Sequence, residues 1–124
     1  MNNPENLLYA ESHEWLKIEG SEGVIGITDF AQDSLGDITF IDLPQVGGAF
    51  AKGQEMGTVE SVKAASDIYM PCDCEVIAVN ESVLDNPEKV NKDPYGEGWL
   101  LRVSITGSTD GLLNAQDYAG KCTH

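Results

Sequence analysis

Positive charge is scarce in this chain. Its 124 residues carry 7 Lys+Arg against 21 Asp+Glu, a net charge of -14. Such a surface repels nucleic acid and anionic membranes at long range, so neither is an expected partner, and a protein that docks here is expected to offer basic groups. There is no apolar run of the ~18 residues that span a bilayer. The opening MNNPENLLYA also has neither the basic region nor the apolar core of a secretory signal. Three cysteines, an odd number, do not form a disulfide framework and suit a reducing compartment.

What is present fits a single domain over residues 1–124, with 41% hydrophobic residues to build a modest core. Trp15 to Glu19 and Val24 to Ile27 read as the arms of a hairpin across Glu19 to Gly23. Thr28 or Asp29 can cap a short helix that stops at Gly36, with Phe30, Ala31 and Leu35 closing one side of the sheet. Asp37 to Leu43 alternates, with Ile38, Phe40 and Asp42 on one face and Thr39, Ile41 and Leu43 on the other. The mixed character of both faces implies curvature or a switch between small sheets. Glu75 to Asn80 and Trp99 to Ile105 are further strands. Short helical turns are expected at Ser82 to Leu84, after Pro87, from Ser108 or Asp110, and around Asn114 and Asp117. Few helical segments are long enough for βαβ crossovers, so the expected class is mainly β with short helices.

One lysine stands at a telling place. In GTVESVKAASDIYMP, Gly57 to Pro71, two alternating arms flank Lys63-Ala64. Pairing outward from that bend sets Glu60 opposite Asp67 and Val59 opposite Ile68. Val59, Ser61, Ser66 and Ile68 then share one face. Lys-Ala is not a turn pair that welcomes positive φ, and Glu60 facing Asp67 is a like-charge pair, so the turn could be longer or of type I.

In these residues and others along its length the chain resembles the H proteins of the glycine cleavage system. The resemblance runs through Ser12-His13-Glu14-Trp15, Gly26-Ile27-Thr28-Asp29, Leu35-Gly36-Asp37, Val59-Glu60-Ser61-Val62-Lys63-Ala64, Ser66-Asp67 and Asp93-Pro94-Tyr95-Gly96-Glu97-Gly98-Trp99-Leu100. It implies a lipoyl-domain-like, flattened barrel-sandwich hybrid with N- and C-terminal extensions, the latter helical. It implies lipoate joined to Lys63 through an amide, and a monomeric carrier that is not itself an enzyme. The partners it implies are a pyridoxal-phosphate glycine decarboxylase, a tetrahydrofolate-dependent aminomethyltransferase, a dihydrolipoyl dehydrogenase using FAD and NAD, and a lipoate ligase or octanoyl/lipoyl transferase. An aminomethyl intermediate passes from the first to the second, and the third reoxidises the arm. The resemblance also places Ser12, Glu14 and Asp67 at a cleft that can hold the loaded arm. Glu60 and Asp67 are candidates for recognition by the lipoylating enzyme. Service as a lipoyl donor to other complexes is a further role known for some H-like proteins. The compartment implied is the cytoplasm of a bacterium or the mitochondrial matrix of a processed eukaryotic form.

Cys74 departs from the pattern, standing where the family usually has a glycine that is part of the lipoylation-recognition geometry. If Cys74 adopts positive φ, the strain is about 1–2 kcal/mol; otherwise the turn has changed. Cys72 and Cys74, with Cys122, His13 or His124, are spaced too closely for the usual paired metal motif, so no metal is expected. Trp15, Trp99 and Phe40 read as core or core-edge packing, and His13 as a packing or hydrogen-bonding residue.

Overall fold

The computed structural model describes residues 2–122. Among these residues nine strands form two sheets. The first contains β1 (Leu8–Tyr9), β2 (Glu14–Glu19), β3 (Glu22–Ile27), β5 (Ala49–Phe50), β8 (Cys74–Val79) and β9 (Leu101–Ile105), in the order β1-β2-β3-β9-β8-β5. The second contains β4 (Ile38–Asp42), β6 (Glu55–Ser61) and β7 (Ala65–Tyr69), in the order β4-β6-β7. Among the described residues the sheets stay separate, a sandwich rather than a closed barrel. The helices are α1 (Asp29–Leu35), α2 (Glu81–Asp85), α3 (Glu88–Lys92) and α4 (Ala115–Ala119).

Period-2 alternation explains the sandwich. Leu16, Ile25, Leu101 and Val103 of the first sheet and Ile38, Ile41, Val59 and Ile68 of the second belong to one buried cluster. Each such side chain contributes roughly 1.5–3 kcal/mol on full burial. The neighbouring residue Trp15 points to the opposite face of the first sheet. There it forms a second cluster with Leu7, Tyr9 and Tyr118 of α4, and the Tyr9 and Tyr118 rings stack at 4.6 Å. The C-terminal helical extension is thus packed onto the sheet.

Local signals set the helix ends. The Thr28 hydroxyl caps α1 by accepting from the Ala31 amide, and Gly36 ends it at φ 77°. Asn80 caps α2, and Asn114 caps α4 by accepting from the Asp117 amide at 2.8 Å. The helix expected from Ser108 or Asp110 does not form. The Ser108 hydroxyl instead accepts from the Asp110 amide in a turn, and the helix waits for the Asn114 cap.

The structure corrects three other expectations. The first hairpin turns across Gly20-Ser21 alone, because Glu19 pairs with Glu22. In β4 a bulge between Ile38 and Phe40 breaks the alternation, so Ile38 and Ile41 are both buried while Phe40 is 51% exposed. Phe40 is therefore not a core residue. The last strand begins at Leu101, two residues after Trp99.

At Gly57 the backbones of β4 and β6 leave no room for a side chain: an added Cβ would lie 2.2 Å from the Asp42 carbonyl oxygen, a backbone atom that cannot swing away. Gly57→Ala is expected to destabilise the fold by about 2 kcal/mol or more through this overlap, read as a lower denaturant midpoint at unchanged slope.

Candidate functional site

The hairpin between β6 and β7 is built differently from the expected one. Glu60 pairs with Ala65, Val59 with Ser66, and Thr58 with Asp67, which centres the bend on Val62-Lys63 rather than Lys63-Ala64. The cause is Ser61. Its hydroxyl accepts from the Lys63 amide at 3.3 Å and the Ala64 amide at 3.1 Å, while its own amide donates to the Ala64 carbonyl at 2.8 Å. A serine-closed turn needs no positive φ at Val62 or Lys63, and neither residue has it. The shift of two residues preserves the faces, so Val59 and Ile68 remain inward at 1% exposure. It removes the like-charge pair, since Asp67 now faces Thr58.

The bend stands on a ledge formed by the end of α1. The Val62 amide donates to the Asp37 carbonyl at 3.1 Å. Asn91 of α3 holds that ledge: its amide donates to the Gln32 side chain at 3.0 Å and the Gly36 carbonyl at 2.8 Å, and its oxygen accepts from the Ile38 amide at 2.9 Å. The Lys63 stem lies over Gly36, where an added Cβ would sit 3.4 Å from Lys63 Cε. Glycine at 36 thus serves both the left-handed helix end and the room for this stem. Lys63 is exposed and takes part in no ion pair among the described residues.

On the inner side of the hairpin, Ser12, Glu14 and Asp67 line one cleft with Ala31, Leu35 and Ile68. The structure therefore brings the three expected cleft residues together. The cavity is about 20 Å³, room for one or two waters. Glu14 is 2% exposed; its Oε1 accepts from the Ser12 hydroxyl, and its Oε2 accepts from the Tyr69 amide at 3.2 Å. Burial pushes its carboxyl up to about 7, against the smaller opposing pull of those hydrogen bonds. Asp67 is exposed at the cleft mouth. Glu60 lies elsewhere, exposed on the outer face opposite Phe40 and Ala65.

Cys74 opens strand β8 with an extended backbone, opposite Phe50 and Ile105, and has no positive φ. The strain considered for a glycine-like geometry does not arise. Cys74 is 1% exposed with its sulfur 3.6 Å from that of Met70, so it packs in the core and offers no surface for an enzyme to read. Cys72 is also buried, and Cys122 packs against the Tyr118 cluster. His124 lies outside the described residues. His13 bonds through Nδ1 to the Tyr118 hydroxyl at 2.6 Å. Sequence reading missed Asn91, Tyr69 and Tyr118, whose roles depend on partners 53, 55 and 105 residues away.

The Glu14 shift has a definite sign. With a carboxyl at about 7 in the folded protein against the usual 4.5, the native state holds its proton while the unfolded chain releases it. Stability therefore falls as pH rises from about 4.5 and the loss is complete above about 7, on the order of 3 kcal/mol. Glu14→Gln is expected to gain stability relative to the parent by that amount between pH 4 and pH 8, measured by denaturant unfolding across the range.

Comparison with known proteins converges on one family. The family model described as "Glycine cleavage H-protein" matches residues 7–124. A glycine cleavage system H protein of Nitratidesulfovibrio vulgaris (strain DSM 19637 / Miyazaki F) is 56% identical over 118 residues, covering 95% of this chain and 93% of the relative. That of Carboxydothermus hydrogenoformans is 53% identical over 117 residues, covering 93% and 90%. Among solved structures, a glycine cleavage system H protein from Mycobacterium marinum superposes with a TM-score of 0.89 at 38% identity, covering 95% of this chain and 97% of that one. This chain belongs to the glycine cleavage H-protein family, the lipoyl-carrying shuttles of the glycine cleavage system, which transport rather than catalyse.

Proposed function

We propose that lipoate is attached to Lys63 through an amide and that Ser12, Glu14 and Asp67 hold its amine-bearing cargo. The observation that carries this reading is the placement of Lys63: an unpaired ammonium on a serine-closed bend, with a buried carboxyl in the cleft on the inner side of the same hairpin. When bound, lipoate supplies a disulfide that is reduced as a one-carbon amine fragment is taken up and is later reoxidised. The chain supplies position. Ser61, Asp37 and Asn91 fix the root of the arm, and tethering keeps its far end at high local concentration beside a docked enzyme.

Glu14 provides the selectivity. Near pH 7 it is poised between neutral and charged forms. A protonated amine arriving beside it favours the carboxylate, so the cleft strengthens its hold only when cationic cargo is present. An arm without cargo brings no positive charge and is released. The cavity of about 20 Å³ accommodates the cargo end only as side chains at its mouth move apart.

The partners that fit this reading are the pyridoxal-phosphate glycine decarboxylase, the tetrahydrofolate-dependent aminomethyltransferase and the FAD- and NAD-dependent dihydrolipoyl dehydrogenase, with a lipoate ligase or transferase to load Lys63. Three free cysteines support a reducing compartment such as the bacterial cytoplasm or the mitochondrial matrix. Glu60, outward beside the bend, is suited to recognition by the lipoylating enzyme.

Incubation with lipoate ligase is expected to add one lipoyl group to the parent protein and none to Lys63→Arg, by intact mass. Reconstitution with the three enzymes is expected to give glycine-dependent NADH formation with the parent alone. Labelling of Lys63→Arg would place the attachment elsewhere. Glu60→Gln is expected to lower the rate of lipoylation severalfold while leaving the extent at completion unchanged; an unaltered rate would reduce Glu60 to a solvated surface charge.

A further inference from the structure

The cleft loop carries a residue that its backbone does not favour. β1 and β2 form a hairpin in which the Ala10 amide donates to the Glu14 carbonyl at 2.9 Å and the His13 amide donates to the Ala10 carbonyl at 3.0 Å, leaving Glu11, Ser12 and His13 as the loop. Three-residue loops of this kind end on a left-handed position, where glycine is the easy choice. His13 occupies it at φ 77°, the one non-glycine residue with positive φ among the described residues, at a cost of about 1–2 kcal/mol. Strain of this kind persists only where surrounding contacts impose it.

Those contacts come from two other parts of the chain. The His13 carbonyl accepts from the Thr28 amide at 3.0 Å, and the ring packs on Phe30 at 4.7 Å. Nδ1 lies 2.6 Å from the Tyr118 hydroxyl, which lies 2.7 Å from the Thr28 hydroxyl. Burial lowers the imidazole from its ordinary value, so the ring is neutral at pH 7. Two proton arrangements satisfy the group, Thr28 to Tyr118 to Nδ1 or Nδ1 to Tyr118 to Thr28, and in both the Tyr118 hydroxyl bridges His13 and Thr28, whose hydroxyl also accepts from the Ala31 amide. Tyr118 is fully buried and stacked on Tyr9.

We infer that Tyr118, acting through His13, is a positioning residue that sets Ser12 and Glu14 in the cleft, so that the C-terminal helix governs how long the cargo is held. This rests on the reading of the cleft given above. His13 sits between Ser12 and Glu14, and its left-handed turn folds the Ser12 hydroxyl back onto Glu14 Oε1. Without the Tyr118 hydroxyl, Nδ1 loses its hydrogen-bond partner and the strained turn loses a main restraint. Ser12 and Glu14 then no longer share one fixed geometry.

The test uses full-length lipoylated protein, reduced, and loaded by condensing one arm thiol with formaldehyde and ammonia, with loss of water, to an aminomethyl thioether. Cargo release is followed by return of the free thiol. Amide hydrogen exchange is followed at Thr28, which donates to His13, at Tyr69, which donates to Glu14, and at Val103 of the core as reference. Tyr118→Phe keeps the ring stack and removes only the hydroxyl. It is expected to raise exchange at Thr28 and Tyr69 relative to Val103, and to shorten cargo lifetime, each by about fivefold, the equivalent of one hydrogen bond. His13→Asn tolerates positive φ and places a side-chain amide, which can accept or donate, where Nδ1 stood, so it should retain both properties, whereas His13→Ala should lose them. Unchanged relative exchange at Thr28 and Tyr69 in Tyr118→Phe overturns the inference. So does an unchanged lifetime in that variant when Glu14→Gln shortens it. If Glu14→Gln leaves lifetime unaltered, the cleft reading itself fails, and the exchange ratios alone then decide whether Tyr118 positions the loop.

Discussion

The hydrogen bond from the Val62 amide to the Asp37 carbonyl joins the two halves of this molecule's task. On one side is a bend with an exposed lysine; on the other is the end of α1, held by three hydrogen bonds with Asn91, two donated and one accepted. A hairpin tip is ordinarily free to sway, and swaying would blur the origin of any arm attached to it. Here the tip is closed from within by Ser61 and tied from outside to a helix end, so the flexibility begins in the lysine side chain. The distinction matters for a carrier. Reach comes from the arm, while recognition of the protein around its root requires that the root stay fixed.

Charge is arranged on the same logic. Against a net charge of -14, one more carboxylate on the surface would have little individual effect. Glu14 differs because it is buried, with a serine hydroxyl and one backbone amide as hydrogen-bond donors. Burial makes its ionisation costly in the empty cleft, and that cost makes it responsive to a neighbouring cation. Asp67 differs from Glu14 in standing in solvent, at the mouth of the same cleft.

Much of this was legible in the residues, and the failures have identifiable causes. Caps at Thr28 and Asn114 and the stop at Gly36 are local signals and could be read as such, whereas Asn80, read as the end of a strand, is the cap of α2. The Lys63 hairpin and the inward faces of Val59 and Ile68 were also visible, because a period-2 pattern survives a register shift of two. The shift itself was not visible, since it arises from the Ser61 side chain standing in for turn geometry. Phe40 was misplaced by a bulge that changes parity without leaving a glycine or proline behind. β1 and β5 have only two residues each, too few for any periodicity. Ser12, Glu14 and Asp67 were grouped only by family resemblance, because composition and spacing alone read Glu14 and Asp67 as solvated acidic surface.

The terminal extensions of the fold find their reason at the cleft. β1 contributes only two residues to the sheet, yet its pairing with β2 creates the loop that carries Ser12. α4 is five residues long, too short to be stable alone, and it persists by burying Tyr118 against Tyr9 and Trp15. The Tyr118 hydroxyl then meets both the loop and the cap of α1, the helix whose other end supports Lys63. Loop, helix and hairpin are consequently linked through short polar contacts on a rigid apolar base. In the proposed function a charged cargo is held against the Ser12 loop and α1 opposite the hairpin, and the extensions build and brace that loop.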